Sequence, residues 1–216
     1  MDDATPCWKD GQASQSVINK IFNIGLPKTG TTSLNEALKI LGYRSLHNPL
    51  KFRTLTYRHS IYKYPRDDWD ALTNFGEHFY PQLDHSYPNS KFILTVRDRD
   101  EWLKSAEKWF REPPKNPAID YPGRLDTFGC MTFHSDRFLY VYDLHMTNAM
   151  AYFHNRPQDL LVLDCTKGNP WQPLCSYLNK TVPVQPFPHL KKGALPENAL
   201  HRRVGNVLVN LLTKRY

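Results

Sequence analysis

Short apolar runs alternate along the chain with longer segments whose apolar residues return every three or four positions. Residues 20–26, Lys-Ile-Phe-Asn-Ile-Gly-Leu, read as a short buried strand. Leu34, Ala37, Leu38 and Leu41 then stand at i, i+3, i+4 and i+7, which predicts a helix, with Gly42 placed for a left-handed C-terminal cap. Tyr43–His47 predicts a weaker strand, and helical or irregular chain runs on to Tyr64. Asp68–Thr73 predicts a third strand and Glu77–Tyr87 a helix stopped by Pro88. Lys91–Arg97 is apolar almost throughout, the pattern of a strand covered on both faces. Asp98 and Glu101 make a capping-box pattern that opens a helix through Phe110. Arg111–His134 carries Pro113, Pro114, Pro117 and Pro122 and reads as a long irregular stretch, the form of a lid or binding loop. Phe138, Val141, His145, Ala149 and Tyr152 line one stripe of a helix over 136–154. Leu160–Asp164 predicts a further strand, Trp171–Leu178 a short helix, and Leu200–Leu212 a closing amphipathic helix. Residues 1–19 are polar and patternless, a loose tail before one domain over 20–216.

Strands alternating with helices imply an α/β fold: a three-layer sandwich around a mostly parallel central sheet. In such sheets ligands bind beyond the carboxyl ends of the strands. Composition changes this picture little. At 40% hydrophobic and 23% charged, the chain is neither disordered nor collagen-like. No run approaches the roughly 20 apolar residues of a membrane helix, and the acidic start Met1-Asp2-Asp3 lacks a secretory signal. The four cysteines have neither C-x-x-C nor zinc spacing and read as reduced thiols, so a cytoplasmic protein is expected. A net charge of +7 favours an anionic partner without choosing one.

Two strands end in residues suited to anions. The first runs into Gly25-Leu-Pro-Lys-Thr-Gly-Thr-Thr-Ser33, where Gly25 and Gly30 have the G-x-x-x-x-G spacing of a P-loop. Backbone amides and a helix N-terminus there suit a phosphate. A nucleotide triphosphatase would place Lys-Ser or Lys-Thr after the second glycine. Here Thr31-Thr32 stand there, and the lysine lies inside the loop at Lys28. The strand Lys91–Val96 ends in arginine, not in a magnesium-holding aspartate. A loop that cradles an anion without that apparatus points to a substrate activated by another leaving group. The second site is Arg97 with Ser105, a guanidinium fork and a hydroxyl for a second phosphate.

These motifs, with Trp69-Asp-Ala-Leu-Thr73, Asp100-Glu-Trp-Leu-Lys-Ser105 and Trp171-Gln-Pro-Leu-Cys-Ser-Tyr-Leu-Asn179, resemble the sulfotransferases that use 3′-phosphoadenosine 5′-phosphosulfate (PAPS), and more narrowly their compact branch from bacteria, fungi and some worms. The resemblance covers about residues 20–190. It implies that Pro27, Lys28, Thr29, Gly30, Thr31, Thr32 and Ser33 hold the 5′-phosphosulfate, that Arg97 and Ser105 hold the 3′-phosphate, and that adenosine 3′,5′-bisphosphate is the product. Lys28 would neutralise the bridging oxygen as its bond to sulfur breaks, so no metal is required.

For the acceptor, the resemblance places a basic aspartate where this chain has Asn74, which cannot take a proton. His47 is the substitute base, with Glu77, His78 and Asp70 as further candidates, and Asn74 is left to orient the acceptor. The acceptor itself is a small phenol, alcohol, amine or specialised metabolite; neither nucleic acid nor membrane is expected as a partner. A nucleotide kinase or NTPase and a basic nucleic-acid-binding module are the competing functions. Trp102 and Trp109 read as packing residues, and Lys191-Lys192-Gly193 and His201-Arg202-Arg203 as solvated charge. His134, His145 and His154 lack metal spacing.

Overall fold

The structure, a computed structural model, describes residues 20–64, 68–114 and 117–190. Five short strands, β1 (Ile21–Asn23), β2 (Ser45–His47), β3 (Ala71–Thr73), β4 (Lys91–Thr95) and β5 (Leu160–Leu163), pair in the order β2-β3-β1-β4-β5 with every pairing parallel. Alternation of side chains along them builds a core on each face. Phe22, Leu72, Phe92 and Leu94 face α2 (Leu50–His59), α3 (Tyr80–Ser86) and α6 (Ser135–Tyr152). Ile21, Ala71 and Ile93 face α1 (Thr31–Ile40) and α7 (Trp171–Leu178). The expected α/β architecture with helices on both faces is present, with a sheet that is parallel throughout.

Local chemistry places the helix ends where the sequence predicts them. Gly42 adopts φ 88° after α1, its amide bonds to Lys39 O at 2.9 Å, and Tyr43 N bonds to Leu38 O at 3.0 Å, a Schellman ending. The Asp98 carboxylate accepts from Glu101 N and starts α4 (Arg99–Arg111).

One segment differs from expectation. Within 111–134, residues Pro117–Phe128 form a helix, α5, despite Pro122 inside it. Pro117 stands at the first position, where its missing N–H costs nothing. Tertiary contacts offset the bond forfeited at Pro122: buried Arg124 donates to Phe110 O at 3.2 Å and Glu112 O at 2.9 Å at the C-terminal end of α4, and Phe128 stacks on Phe138 with centroids 4.1 Å apart. The 1–19 tail, Lys191-Lys192-Gly193, His201-Arg202-Arg203 and the closing helix lie outside the described residues.

Candidate active site

After β1 the chain turns toward β3 and β2, whereas after β4 it turns toward β5. β1 and β4 therefore flank the point where the winding reverses, the position at which parallel sheets bind ligands. The Gly25–Ser33 loop leaves β1 and Arg97 follows β4, so the two predicted anion sites emerge side by side.

The loop is built to expose backbone donors. Lys28 and Gly30 take left-handed φ values of 76° and 97°. Gly30 caps α1 without any side-chain bond, and Leu34 N to Gly30 O is the first bond of the helix. The amides of Thr31, Thr32 and Ser33 thus have no acceptor within the helix. Glycine is required at both ends of the turn. A Cβ at Gly25 would lie 2.0 Å from Thr95 Oγ1, and one at Gly30 2.8 Å from Cys165 Cβ.

The loop's hydroxyls divide by role. Thr29 is fully buried; its hydroxyl donates to Leu26 O and meets Thr95 Oγ1, both at 2.7 Å. It braces the turn. Ser33 Oγ accepts from Leu190 N at 3.1 Å and keeps its own proton to donate. Thr31 Oγ1 approaches Asn74 Oδ1 at 3.5 Å, while Thr32 Oγ1 approaches His47 Nε2 at 3.4 Å.

Lys28 carries the site's electrostatics. Partial burial lowers its pKa; Glu112 partly offsets this, and Arg97 and Lys108 add to it. The cations of the two loops therefore sense each other. Arg97 leans on Glu101 at 3.5 Å, one turn into α4, and Ser105 stands a further turn along that helix.

His47 is held between Thr73 of β3 and Thr32 of the loop. Asn35 Nδ2 donates to the Glu36 carboxylate at 3.0 Å, which turns its Oδ1 toward Ser45 and Thr73. Thr73 Oγ1 lies 3.2 Å from that Oδ1 and 2.9 Å from His47 Nδ1. The other ring nitrogen, Nε2, lies on the side of the Gly25–Ser33 loop. Among the other base candidates, Asp70 precedes β3, at the sheet's opposite end, and is bound to Arg44 at 2.7 Å. His78 bonds Thr127 of α5 at 2.8 Å. Glu77, in the chain that follows β3, is buried, and its Oε2 has no hydrogen-bond partner among the described residues. Asn74 takes φ 53°, and its amide is held by Asn23 Oδ1 at 3.1 Å.

Sequence reasoning missed Thr95, Asn35 and Tyr142, whose contributions exist only across elements. Trp102 was legible as core, and it is fully buried; its bond to Pro27 O at 2.9 Å was not legible.

The sulfotransferase domain matches residues 20–195, most of the chain. The chain belongs to the sulfotransferase domain family. It is also 25% identical to "Ava biosynthesis cluster protein M" of Aspergillus versicolor over 214 residues, covering 79% of this chain and 80% of that protein. Among the described residues no helix is long and apolar enough to cross a membrane, and no group of three or more His, Cys, Asp or Glu comes together as a metal site.

Proposed function

We propose that the protein transfers a sulfuryl group from PAPS to a hydroxyl or amine of a small molecule. The observation that carries this reading is the emergence of the Gly25–Ser33 loop and Arg97 from adjacent parallel strands, with Arg97 adding to the burial that lowers the Lys28 pKa. The donor set fits the nucleotide: free first-turn amides, an ammonium and a guanidinium, with no carboxylate inside the loop.

PAPS supplies an SO₃ unit on a good leaving group. The loop amides and the hydroxyls of Thr31, Thr32 and Ser33 hold the 5′ end, while Arg97 and Ser105 hold the 3′-phosphate. Lys28 stabilises the charge that builds on the bridging oxygen as the S–O bond breaks, a role that preorganised cations fill in related group transfers. The new bond forms between sulfur and the acceptor's oxygen or nitrogen, and the acceptor's proton passes to His47 Nε2. Asn74 orients the acceptor. α5 forms the cover of this acceptor site; it reaches α2 through Arg53–Asp120 at 3.9 Å and the β3 loop through His78–Thr127. A biosynthesis cluster in the name of the fungal relative supports a specialised metabolite as acceptor. The reading needs neither metal nor nucleic acid and places the protein in the cytoplasm.

Adenosine 3′,5′-bisphosphate should raise the melting temperature in the presence of a chelator, and adenosine 5′-monophosphate should raise it much less. Equal shifts would remove the role of Arg97 and Ser105. Incubation with PAPS and a metabolite pool, followed by mass spectrometry, should reveal a product heavier by one SO₃; no such product from any pool would remove the reaction.

A further inference from the structure

We infer that Trp102 and Tyr142 form a bracket that fixes the spacing of the two anion loops, and that both are positioning residues for the nucleotide. The inference rests on the PAPS reading only for what the loops hold; the bracket itself stands on geometry.

Arg97 is the first residue whose backbone leaves the sheet, since Val96 N to Leu163 O is the preceding ladder bond. Both backbone groups of Arg97 are taken by one side chain. The Tyr142 hydroxyl donates to Arg97 O at 2.5 Å and accepts from Arg97 N at 3.3 Å. Beside it, Arg99 forms a two-pronged pair with Asp143 at 2.7 and 3.0 Å, so α6 grips the chain on both sides of Asp98. The other loop is held in the same way. Pro27 immediately precedes Lys28 with its φ of 76°, and the Pro27 carbonyl accepts from Trp102 Nε1. The two grips are one unit, because the rings of Trp102 and Tyr142 lie 4.6 Å apart at 39°. Both side chains are buried. Neither points a polar atom at a ligand; each spends it on the backbone beside a ligand-facing cation.

Tyr142→Phe keeps the ring and deletes both bonds to Arg97. It should weaken adenosine 3′,5′-bisphosphate about three- to tenfold, the worth of one or two neutral hydrogen bonds, and leave adenosine 5′-monophosphate nearly unchanged. The preference between the two nucleotides should shrink accordingly. Trp102→Phe should weaken both nucleotides alike and lower kcat, because its bond holds the Lys28 side. A general loss of packing would lower both affinities together in both variants, so unchanged nucleotide preference in a folded Tyr142→Phe protein overturns the bracket. Amide hydrogen exchange gives a readout that needs no ligand. Tyr142→Phe should speed exchange at Arg97, and Trp102→Phe should speed it at residues 28–30. Unchanged exchange at both places overturns the proposal. Failure of the wild type to bind either nucleotide would remove the PAPS reading, while exchange would still decide the bracket.

Discussion

Thr95 stands so close to Gly25 that its hydroxyl oxygen, its carbonyl and its amide would lie 2.0, 2.5 and 2.7 Å from any Cβ placed there. The close approach joins the end of β4 to the mouth of the anion loop. Gly25→Ala should therefore destabilise the fold by about 1–3 kcal/mol or more, the cost of overpacking. Adding Thr95→Ala should not rescue it, because the backbone atoms remain. Urea titration of the single and double variants checks this, and full rescue would show that the hydroxyl alone sets the limit.

Lys28→Met should keep the fold and weaken nucleotide binding modestly, since the loop amides and Arg97 remain. Turnover should fall about 10²–10³-fold, the usual cost of losing one preorganised donor to a transition-state charge. Paired binding and single-turnover measurements separate the two effects. Normal turnover with weaker binding would limit Lys28 to a binding role.

The lowered Lys28 pKa predicts an early alkaline limb. The free protein loses this proton below the ordinary lysine value of 10.5, whereas a bound dianion favours the charged form. Nucleotide affinity should thus fall as pH rises through the lowered pKa, with a proton taken up on binding in that range. Calorimetry in buffers of different ionisation enthalpy reads the uptake. In Lys28→Met it should vanish.

His145 lies under the loop and bonds Ile24 O at 2.7 Å. Burial holds its pKa below the ordinary 6.5, with the bond to Ile24 opposing. The unfolded chain therefore binds the proton first. This residue's contribution to stability is full above pH 6.5 and is lost as pH falls from there through the lowered folded value. His145→Gln should flatten that part of the stability profile in thermal melts from pH 7.5 to 5. An unchanged profile would assign the acid sensitivity to other groups.

Thr73→Val removes the hydroxyl that meets His47 Nδ1 at 2.9 Å and preserves shape. It should lower kcat about tenfold, within the roughly 10²–10⁴-fold that a general base supplies, and leave nucleotide affinity intact. A pH–rate profile with an unmoved acidic limb would exclude His47 as the base.

The elements legible in the sequence are those whose cause is local. Gly42, the Asp98–Glu101 pair and the apolar run at Lys91–Thr95 each state their structure within a few residues. So do the two anion motifs, because loop glycines and a strand-end arginine are short-range signals. α5 was hidden because its prolines argue against a helix, and what stabilises it comes from Phe110, Glu112 and Phe138. The setting of His47 was hidden for the same reason: it involves Asn35 and Glu36 of α1 and Thr73 of β3.

On the proposed reading, the register of β1 and β4, with Ile21 opposite Lys91, Phe22 opposite Phe92 and Asn23 opposite Ile93, would act as a ruler for the nucleotide. A slip that keeps each side chain on its own face must move two residues, or about 6.6 Å at 3.3 Å per residue. That is longer than a phosphate group, so on that reading no tolerated slip would leave both loops on one nucleotide. On that reading the spacing between a 5′ and a 3′ phosphate would be set by pairs in the middle of the sheet, one of them Phe22 stacked on Phe92.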